Sequence, residues 1–389
     1  MLTQIIHANI VLPDTILYDG CCCLKNGVIH HIGNQPFSTD CTVIDAQGCW
    51  LMPGFIDIHC HGGAGHDFMD ASVTEMQSIS RFHLSHGTTT LLATTMTGTW
   101  EEITGALDNI AELINSDRQL TIHGVHLEGP WLNPKQCGAQ DVSCMDLPSV
   151  EKMDALLEKY PFIERISVAP ELPDGLAVGL AGKDRGLVIS VAHTDANFAM
   201  VQQAADNGYI LMTHLYSGMK LTERVDLYRV AGAVEAGLYD DRLYVELIAD
   251  GKHLPDSLLK LIYKCKGTDR ICLITDATRG AGLPEGTITR LRKCATSSEL
   301  VIEDGVAKLA DRTAFAGSVA TTDRLLRVMH QQAGISLVEV SRMLSAVPAK
   351  IMGYHDRGSI SIGKRADLVL LDQQFSVKSV ILGGEIYES

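Results

Sequence analysis

Strand-like apolar runs that alternate with helix-like stretches dominate the middle of this chain. FIDIHCHG precedes ASVTEMQSISRFHLSHG, TTTLLATTM precedes WEEITGALDNIAELINS, and LTIHGVHLEGP leads through a loop to PSVEKMDALLEKYP. ISVAP, LVISVAHTDA with ANFAMVQQAADNG, YILMTHLYSG, LYVELIADGKH with SLLKLIYKC, and ICLITDAT continue the pattern. TTDRLLRVMHQQAG and SLVEVSRMLSAVPAKIMG read as two more helices. Strands separated by helical crossovers pair in parallel, because the crossover returns the chain to the same end of the sheet. About eight such units favour a closed (β/α)8 TIM barrel of the α/β class over an open sheet. A doubly wound sheet is the competing topology, but no GxGxxG follows the first strand.

The two chain ends have a different texture. TQIIHANIVLP, ILYDGCCCLKNGVIHHIG and CTVIDAQGCWLMPG are short apolar runs broken by Gly and Asn turns, and GSISIGKRADLVLLDQQFSVKSVILGGEIYES reads the same way. This is strand patterning without a helical period. The expectation is a small β-sandwich built from residues 1–50 and 358–389, with the catalytic barrel over residues 51–357.

Charge and cysteine usage narrow the partners. Thirty-two Lys and Arg against 47 Asp and Glu give a net charge of -15, which argues against a nucleic-acid or anionic-membrane surface. The 11 cysteines are scattered through a long chain and include the run Cys21, Cys22, Cys23, a poor disulfide framework. A cytoplasmic protein is expected. MLTQIIHANIVLPD lacks the basic start and small-residue cleavage site of a signal peptide, and no run of about eighteen apolar residues could span a bilayer.

Polar residues sit where the apolar strands end. His59 and His61, His126 and Glu128, His193 and Asp195, His214, His253 and Asp276 all fall there. In a barrel that end is the active-site face. Residues two apart on a strand project to one face, so His59 and His61 in IDIHCHGG could share a metal while Cys60 faces the helices. Alone, the pair is equally well read as two solvated strand-end histidines. Glu128 in HLEGP, read alone, is a solvated loop acid. With His193 and His214 it becomes a His/His/carboxylate set suited to a divalent cation with an open coordination position. Asp276 in ICLITDAT could cap the next helix. Beside such a cation it could instead serve as general base and then acid.

PGFIDIHCHGG, HLEGPWLNPKQCGAQ, THLYSGM, ELIADGKH, LITDAT, FAGS and GSISIGKRADLVLLD together resemble the N-acetylglucosamine-6-phosphate deacetylases of the amidohydrolase superfamily, over nearly the whole chain. The resemblance implies a metal held by Glu128, His193 and His214, with Asp276 as catalytic acid/base. It also implies a second metal position at His59 and His61, which some family members fill and others lack. Zinc is the first expectation, with iron, manganese or cobalt as alternatives, one or two ions per subunit. For the substrate, the resemblance assigns His253 to the sugar phosphate or a nearby hydroxyl and Ala139 and Gln140 to the loop over the sugar. Ser217 and Gly218 would meet the phosphate, and Phe315 and Ala316 would close over the acetyl group. An arginine beyond THLYSGM, often reaching into a neighbouring subunit, would be Arg224 with Arg229 as rival, and implies a homodimer.

Three departures fall on substrate contacts. Gln140 stands where the family usually has His, Ser217 and Gly218 where Asn-Ala is usual, and KLTERVDLYRV lacks the familiar REPG spelling. The expected activity is removal of the acetyl group from an N-acetylated amino-sugar 6-phosphate, first N-acetylglucosamine 6-phosphate. The alternatives are the N-acetylgalactosamine 6-phosphate analogue, another N-acyl amino sugar, or a non-catalytic sugar-phosphate binding protein. A cyclic-amide hydrolase of the same superfamily would want a strand-end lysine where this chain has Glu128.

Overall fold

A computed structural model describes residues 2–116, 121–293 and 298–388. Met1 and Ser389, the outer limits of the expected chain-end ranges, lie outside the described residues. The eight apolar runs form strands Phe55–Cys60, Thr88–Thr95, Ile122–Glu128, Ile163–Val168, Val188–Val191, Tyr209–Met212, Tyr244–Leu247 and Ile271–Leu273. They pair in chain order, each neighbouring pair parallel. The first and last strands meet at a seam that no regular ladder spans. There Cys60 and Ala277 form an isolated parallel bridge and the Asp276 backbone N–H donates to the His59 carbonyl at 2.9 Å. The Asp57 carboxylate completes the join by accepting the Thr275 backbone N–H at 3.3 Å and the Thr275 hydroxyl.

The helices outside this sheet follow from sequence. Ser72 caps Val73–Ser85 by accepting the Glu75 N–H at 3.4 Å, while Glu75 accepts the Ser72 N–H at 2.8 Å. This reciprocal pair satisfies two of the donors that every helix start leaves open. In Trp100–Ser116 the buried Ile103, Ala106, Leu107, Ile110 and Leu113 recur at three- and four-residue spacing, one apolar stripe against the sheet. A separate apolar cluster gathers Ile56, Ile58, Leu92, Leu211, Cys272 and Ile274 with Val347, Ala349 and Ile351 of the late helix Val347–Met352.

Both chain ends join one further eight-stranded sheet. Strand Leu2–Val11 pairs with Thr42–Asp45 along its first half and with Trp50–Pro53 along its second. The change of partner falls at His7, whose φ of 52° turns the strand. Leu368–Leu371 then pairs antiparallel with Trp50–Pro53, so the C-terminal strands extend the N-terminal ones. Ile5, Ile10, Leu24, Ile29, Leu51 and Leu368 give this sheet its own core. The expected boundary at residue 50 falls inside Trp50–Pro53, the strand that carries the chain into the barrel.

Small β elements that were not anticipated include the two-residue pairing of Gly62–Gly63 with His66–Asp67 directly after His61. Glu223–Val225 and Tyr228–Val230 form a hairpin, and Ile288–Arg290, Glu299–Glu303 and Val306–Leu309 form a three-stranded sheet. The hairpin turn runs through Asp226 and Leu227 at φ 44° and 79°. Such turns ordinarily announce themselves as Asn-Gly or Asp-Gly, and Asp-Leu carries no such mark.

Candidate active site

Three expected site residues leave their strands in the left-handed region: His193 at φ 41°, His214 at 30° and Asp276 at 47°. For non-glycine residues this conformation costs on the order of 1–3 kcal/mol, and it collects where function demands a particular side-chain aim. Here it turns all three side chains inward. Gly317, at φ 63°, lets the following loop lie against the Asp276 backbone, and the Ser318 N–H donates to the Asp276 carbonyl at 2.8 Å.

Two buried donor sets result. His59, His61 and Asp276 form one, and Glu128, His193 and His214 the other, with the donor atoms of each set within 4.8 Å of one another. Glu128 stands between them. Its Oε1 lies 3.0 Å from His214 Nε2, 3.6 Å from His193 Nε2 and 3.5 Å from His59 Nε2, and its Oε2 lies 3.2 Å from His61 Nε2. Asp276 Oδ1 is 3.4 Å from His59 Nε2 and 3.2 Å from His61 Nε2. Cys60 faces away, as expected, and its Sγ lies 3.2 Å from His83 Nε2.

This arrangement fits divalent cations. His59 and His61 aim their Nε2 atoms at each other from 3.2 Å, so a proton or a cation must lie between two such lone pairs. Two of the outer nitrogens are held as in metal-ligating histidines: His193 Nδ1 lies 2.7 Å from the Gln136 carbonyl and His59 Nδ1 3.4 Å from Glu246 Oε2, whereas His61 Nδ1 and His214 Nδ1 are buried without a hydrogen-bond partner. Burial alone would disfavour a charged His59, yet Glu128 and Asp276 outweigh it and push its pKa up to about 9. Burial likewise opposes ionisation of Glu128, but His59, His193 and His214 together hold it well below the usual carboxylate range. A site that attracts protons this strongly attracts other cations by the same field. A third group, Asp57, Cys60 and His83, is also within 4.8 Å, but its members are engaged in protein contacts. Asp57 closes the barrel seam, and His83 Nε2 lies 2.9 Å from the Gly62 carbonyl.

A cavity of about 230 Å³ opens onto these sets. His61, Glu128, His193, His214 and Asp276 line it together with Ala139, Gln140, Ser217, Gly218, His253, Phe315 and Ala316. Gly138, Ala314 and Gly317 also line it, and so do Met96, Thr278 and Leu291, which were not foreseen. No lysine or arginine is among the lining residues. Arg224 is not brought there; it lies on the exposed hairpin, directly across the ladder from Arg229. Asp195 accepts Lys135 Nζ at 3.2 Å outside the cavity, and His126 Nε2 lies 2.7 Å from Ser167 Oγ.

Gln140 is bound more tightly to the protein than a free substrate contact would be. Its carbonyl accepts the Thr97 N–H at 2.8 Å and its amide donates to Glu128 Oε2 at 2.9 Å, which leaves one N–H for a ligand. His253 Nδ1 lies 2.9 Å from Asp250 Oδ2, and the ring packs 4.8 Å from that of Phe315.

Beneath the cavity lies a polar layer that strand patterning missed. Arg165 and Glu246 are fully buried and paired. Burial works against the Glu246 charge, and Arg165 and His59 more than offset it, keeping the carboxyl below its ordinary value. A charged residue in the middle of IERISV and of LYVELIAD was the available signal.

Residues 50–387 match the Amidohydrolase family. The chain is 32% identical to the N-acetylglucosamine-6-phosphate deacetylase of Bacillus subtilis (strain 168), over 97% of this chain and 95% of that one. It is 31% identical to the N-acetylgalactosamine-6-phosphate deacetylase of Escherichia coli O157:H7, over 93% of each. Among solved structures, an N-acetyl-D-glucosamine-6-phosphate deacetylase variant from Mycobacterium smegmatis in complex with N-acetyl-D-glucosamine-6-phosphate is similar at a TM-score of 0.90 and 28% identity, over 100% of this chain and 99% of that one.

Proposed function

The chain belongs to the amidohydrolase family, and we propose that it hydrolyses the acetamide of an N-acetylated amino-sugar 6-phosphate, first N-acetylglucosamine 6-phosphate, to acetate and the free amine. The observation that carries this reading is the pair of donor sets meeting at Glu128, with Asp276 belonging to one set and facing the cavity. Glu128, His193 and His214 would hold one divalent cation, and His59, His61 and Asp276 a second. Zinc suits these N and O donors, as do iron, manganese and cobalt. Bound there, the cation supplies Lewis acidity to the amide carbonyl and to the attacking water.

The remaining steps belong to the protein. Asp276 takes the proton of the attacking water on a carboxylate oxygen and returns it to the departing nitrogen. His59 and His61, 3.4 and 3.2 Å from Asp276 Oδ1, fix where that carboxylate points before attack. Gln140 fixes Glu128 from the side opposite His214 and has one N–H left for the substrate. His253, braced by Asp250, presents Nε2 to a sugar hydroxyl or phosphate oxygen. Ala139, Ser217 and Gly218 offer backbone and hydroxyl contacts, and Phe315 and Ala316 cover the acetyl methyl.

The cationic phosphate contact would come from Arg224 of a second copy in a homodimer. The hairpin that carries it also exposes Leu227 and Tyr228, 78% and 77% accessible, apolar surface that a neighbouring subunit would cover. A cytoplasmic location accords with the ten described cysteines being free thiols. The N-acetylgalactosamine 6-phosphate reading is the second one, favoured by Ser217 and Gly218 at the position where Asn-Ala is usual.

The test is a deacetylation assay on N-acyl amino sugars with and without the 6-phosphate, run on wild type and Asp276→Asn. We expect phosphate-dependent activity and a kcat lowered by roughly 10²–10⁴ in the variant, the usual contribution of a positioned acid/base. Equal turnover of unphosphorylated sugars would refute the phosphate assignment. An undiminished Asp276→Asn enzyme would refute the acid/base role.

A further inference from the structure

Among the described residues, the deepest charges in the barrel take no part in the chemistry set out above. Arg165, in the fourth barrel strand, and Glu246, in the seventh, are both fully buried. Arg165 Nη1 donates to Glu246 Oε1 and, at 3.0 Å, to the carbonyl of Ile58, the residue before His59. Its Nη2 donates to Glu246 Oε2 at 3.0 Å and to Thr213 Oγ1 at 3.1 Å, next to His214. A buried ion pair is an expensive way to hold a barrel together, since apolar side chains of similar volume often serve at least as well. Its retention calls for another reason, and the second half of the contact list supplies one.

Glu246 Oε2 is shared. It accepts the backbone N–H of His214 at 3.2 Å and lies 3.4 Å from the Nδ1 of His59. One carboxylate oxygen therefore touches a member of each donor set. On His59 it fixes the tautomer with the proton on Nδ1, so the Nε2 lone pair faces the cavity. On His214 it holds the N–H of a residue whose φ of 30° lies outside the ordinary range and needs such an anchor.

We propose that the Arg165–Glu246 pair is a positioning device that holds His59 by Nδ1 and His214 by its backbone, so that the two donor sets are aimed and filled together. This rests on the two-set metal reading above. Neither residue touches substrate. Their effect passes through the histidines, in the way that outer carboxylates tune metal-bound imidazoles. An amide cannot replace the carboxylate here. Two acceptor oxygens meet four donors at Glu246, and a glutamine would present its NH₂ either to Arg165 Nη1 or to the His59, His214 and Arg165 Nη2 donors.

The experiment is a competitive Zn²⁺ titration against a chromophoric chelator on the apo form of the full chain, paired with visible spectra of the Co²⁺-loaded protein, for wild type and Glu246→Gln. We expect two equivalents in wild type. In Glu246→Gln we expect affinity for the weaker-bound equivalent to fall 10- to 100-fold, a changed Co²⁺ spectrum, and a kcat loss with KM within about threefold. If Glu246→Gln does not fold, Arg165→Met/Glu246→Met removes both buried charges at once and should show the same metal loss. Two equivalents of undiminished affinity in a folded variant overturn the positioning role alone. A wild type that binds a single equivalent overturns both this inference and the two-set reading beneath it.

Discussion

Replacing Gly317 with alanine is a sharp test of how the site is built. Gly317 sits at φ 63°, and a Cβ there would lie 2.6 Å from Thr278 Cγ2 and 3.0 Å from the Asp276 carbonyl oxygen. The left-handed backbone costs a non-glycine residue roughly 1–2 kcal/mol. The overlap adds the penalty of overpacking, about 1–3 kcal/mol, because the struck oxygen is backbone and can move only by moving Asp276. Gly48 is the matched control: it has φ 80°, yet nothing lies within 4 Å of its Cβ position. At about 2.1 cal/mol/K per residue, a 389-residue chain loses about 1 °C of Tm for each kcal/mol. Gly48→Ala should therefore lower Tm by about 1–2 °C with full activity, and Gly317→Ala by about 2–5 °C. Scanning calorimetry reads the first quantity, and deacetylation kinetics read the second. Since Asp276 must shift, kcat of Gly317→Ala should fall at least tenfold, with metal retained by Glu128, His193 and His214. Equal Tm losses for the two variants, or an unchanged kcat for Gly317→Ala, would refute the claim that this glycine sets the position of the acid/base.

Burial drives the His83 pKa down to about 4, only partly opposed by its contact with the Gly62 carbonyl. Its folded value lies below the unfolded one, so its contribution is complete above about pH 6.5. That contribution falls by roughly 1.4 kcal/mol per pH unit as pH drops towards 4. Urea midpoints measured from pH 7 to 4 should decline in wild type and decline less in His83→Gln; parallel curves would contradict the assignment. His59→Gln/His61→Asn should lower metal content by one equivalent in elemental analysis, and an unchanged stoichiometry would count against that donor set. Arg224→Glu should raise KM for the phosphorylated substrate at least tenfold and leave turnover of an unphosphorylated analogue, if any, unaltered. Arg229→Glu is its comparison, and equal effects would remove the preference for Arg224.

Much of this was legible because barrels advertise themselves locally. Most of the strands are short apolar runs ending in a residue that has no business in a core, and Glu128, His193, His214 and Asp276 could be picked out one strand at a time. The HxH pair was readable from strand period alone, since a period of two puts His59 and His61 on one side and Cys60 on the other. What could not be read depends on distance through space. Glu246 stands out as a charge inside an apolar strand, but what it does stays hidden until its partner 81 positions away is known. Gln140 was placed on the substrate by the family resemblance, which puts it with Ala139 in the loop over the sugar. Its commitment to Thr97 and Glu128 is a tertiary fact. The hairpin around Arg224 escaped because its turn uses Asp-Leu, and two three-residue strands give too few alternations to count.

The seam between the first and eighth barrel strands has a consequence for assembly. His59 and His61 lie on one side of it and Asp276 on the other, more than two hundred residues later in the chain. In the polypeptide the donors of that set are strangers until the ring is finished. An ion gripped by all three would work as a clasp on that joint, beside the Asp57–Thr275 contact that fastens the same edge. Capture of such an ion would require the closed circle, and its loss would loosen the molecule first along this line rather than evenly around the barrel.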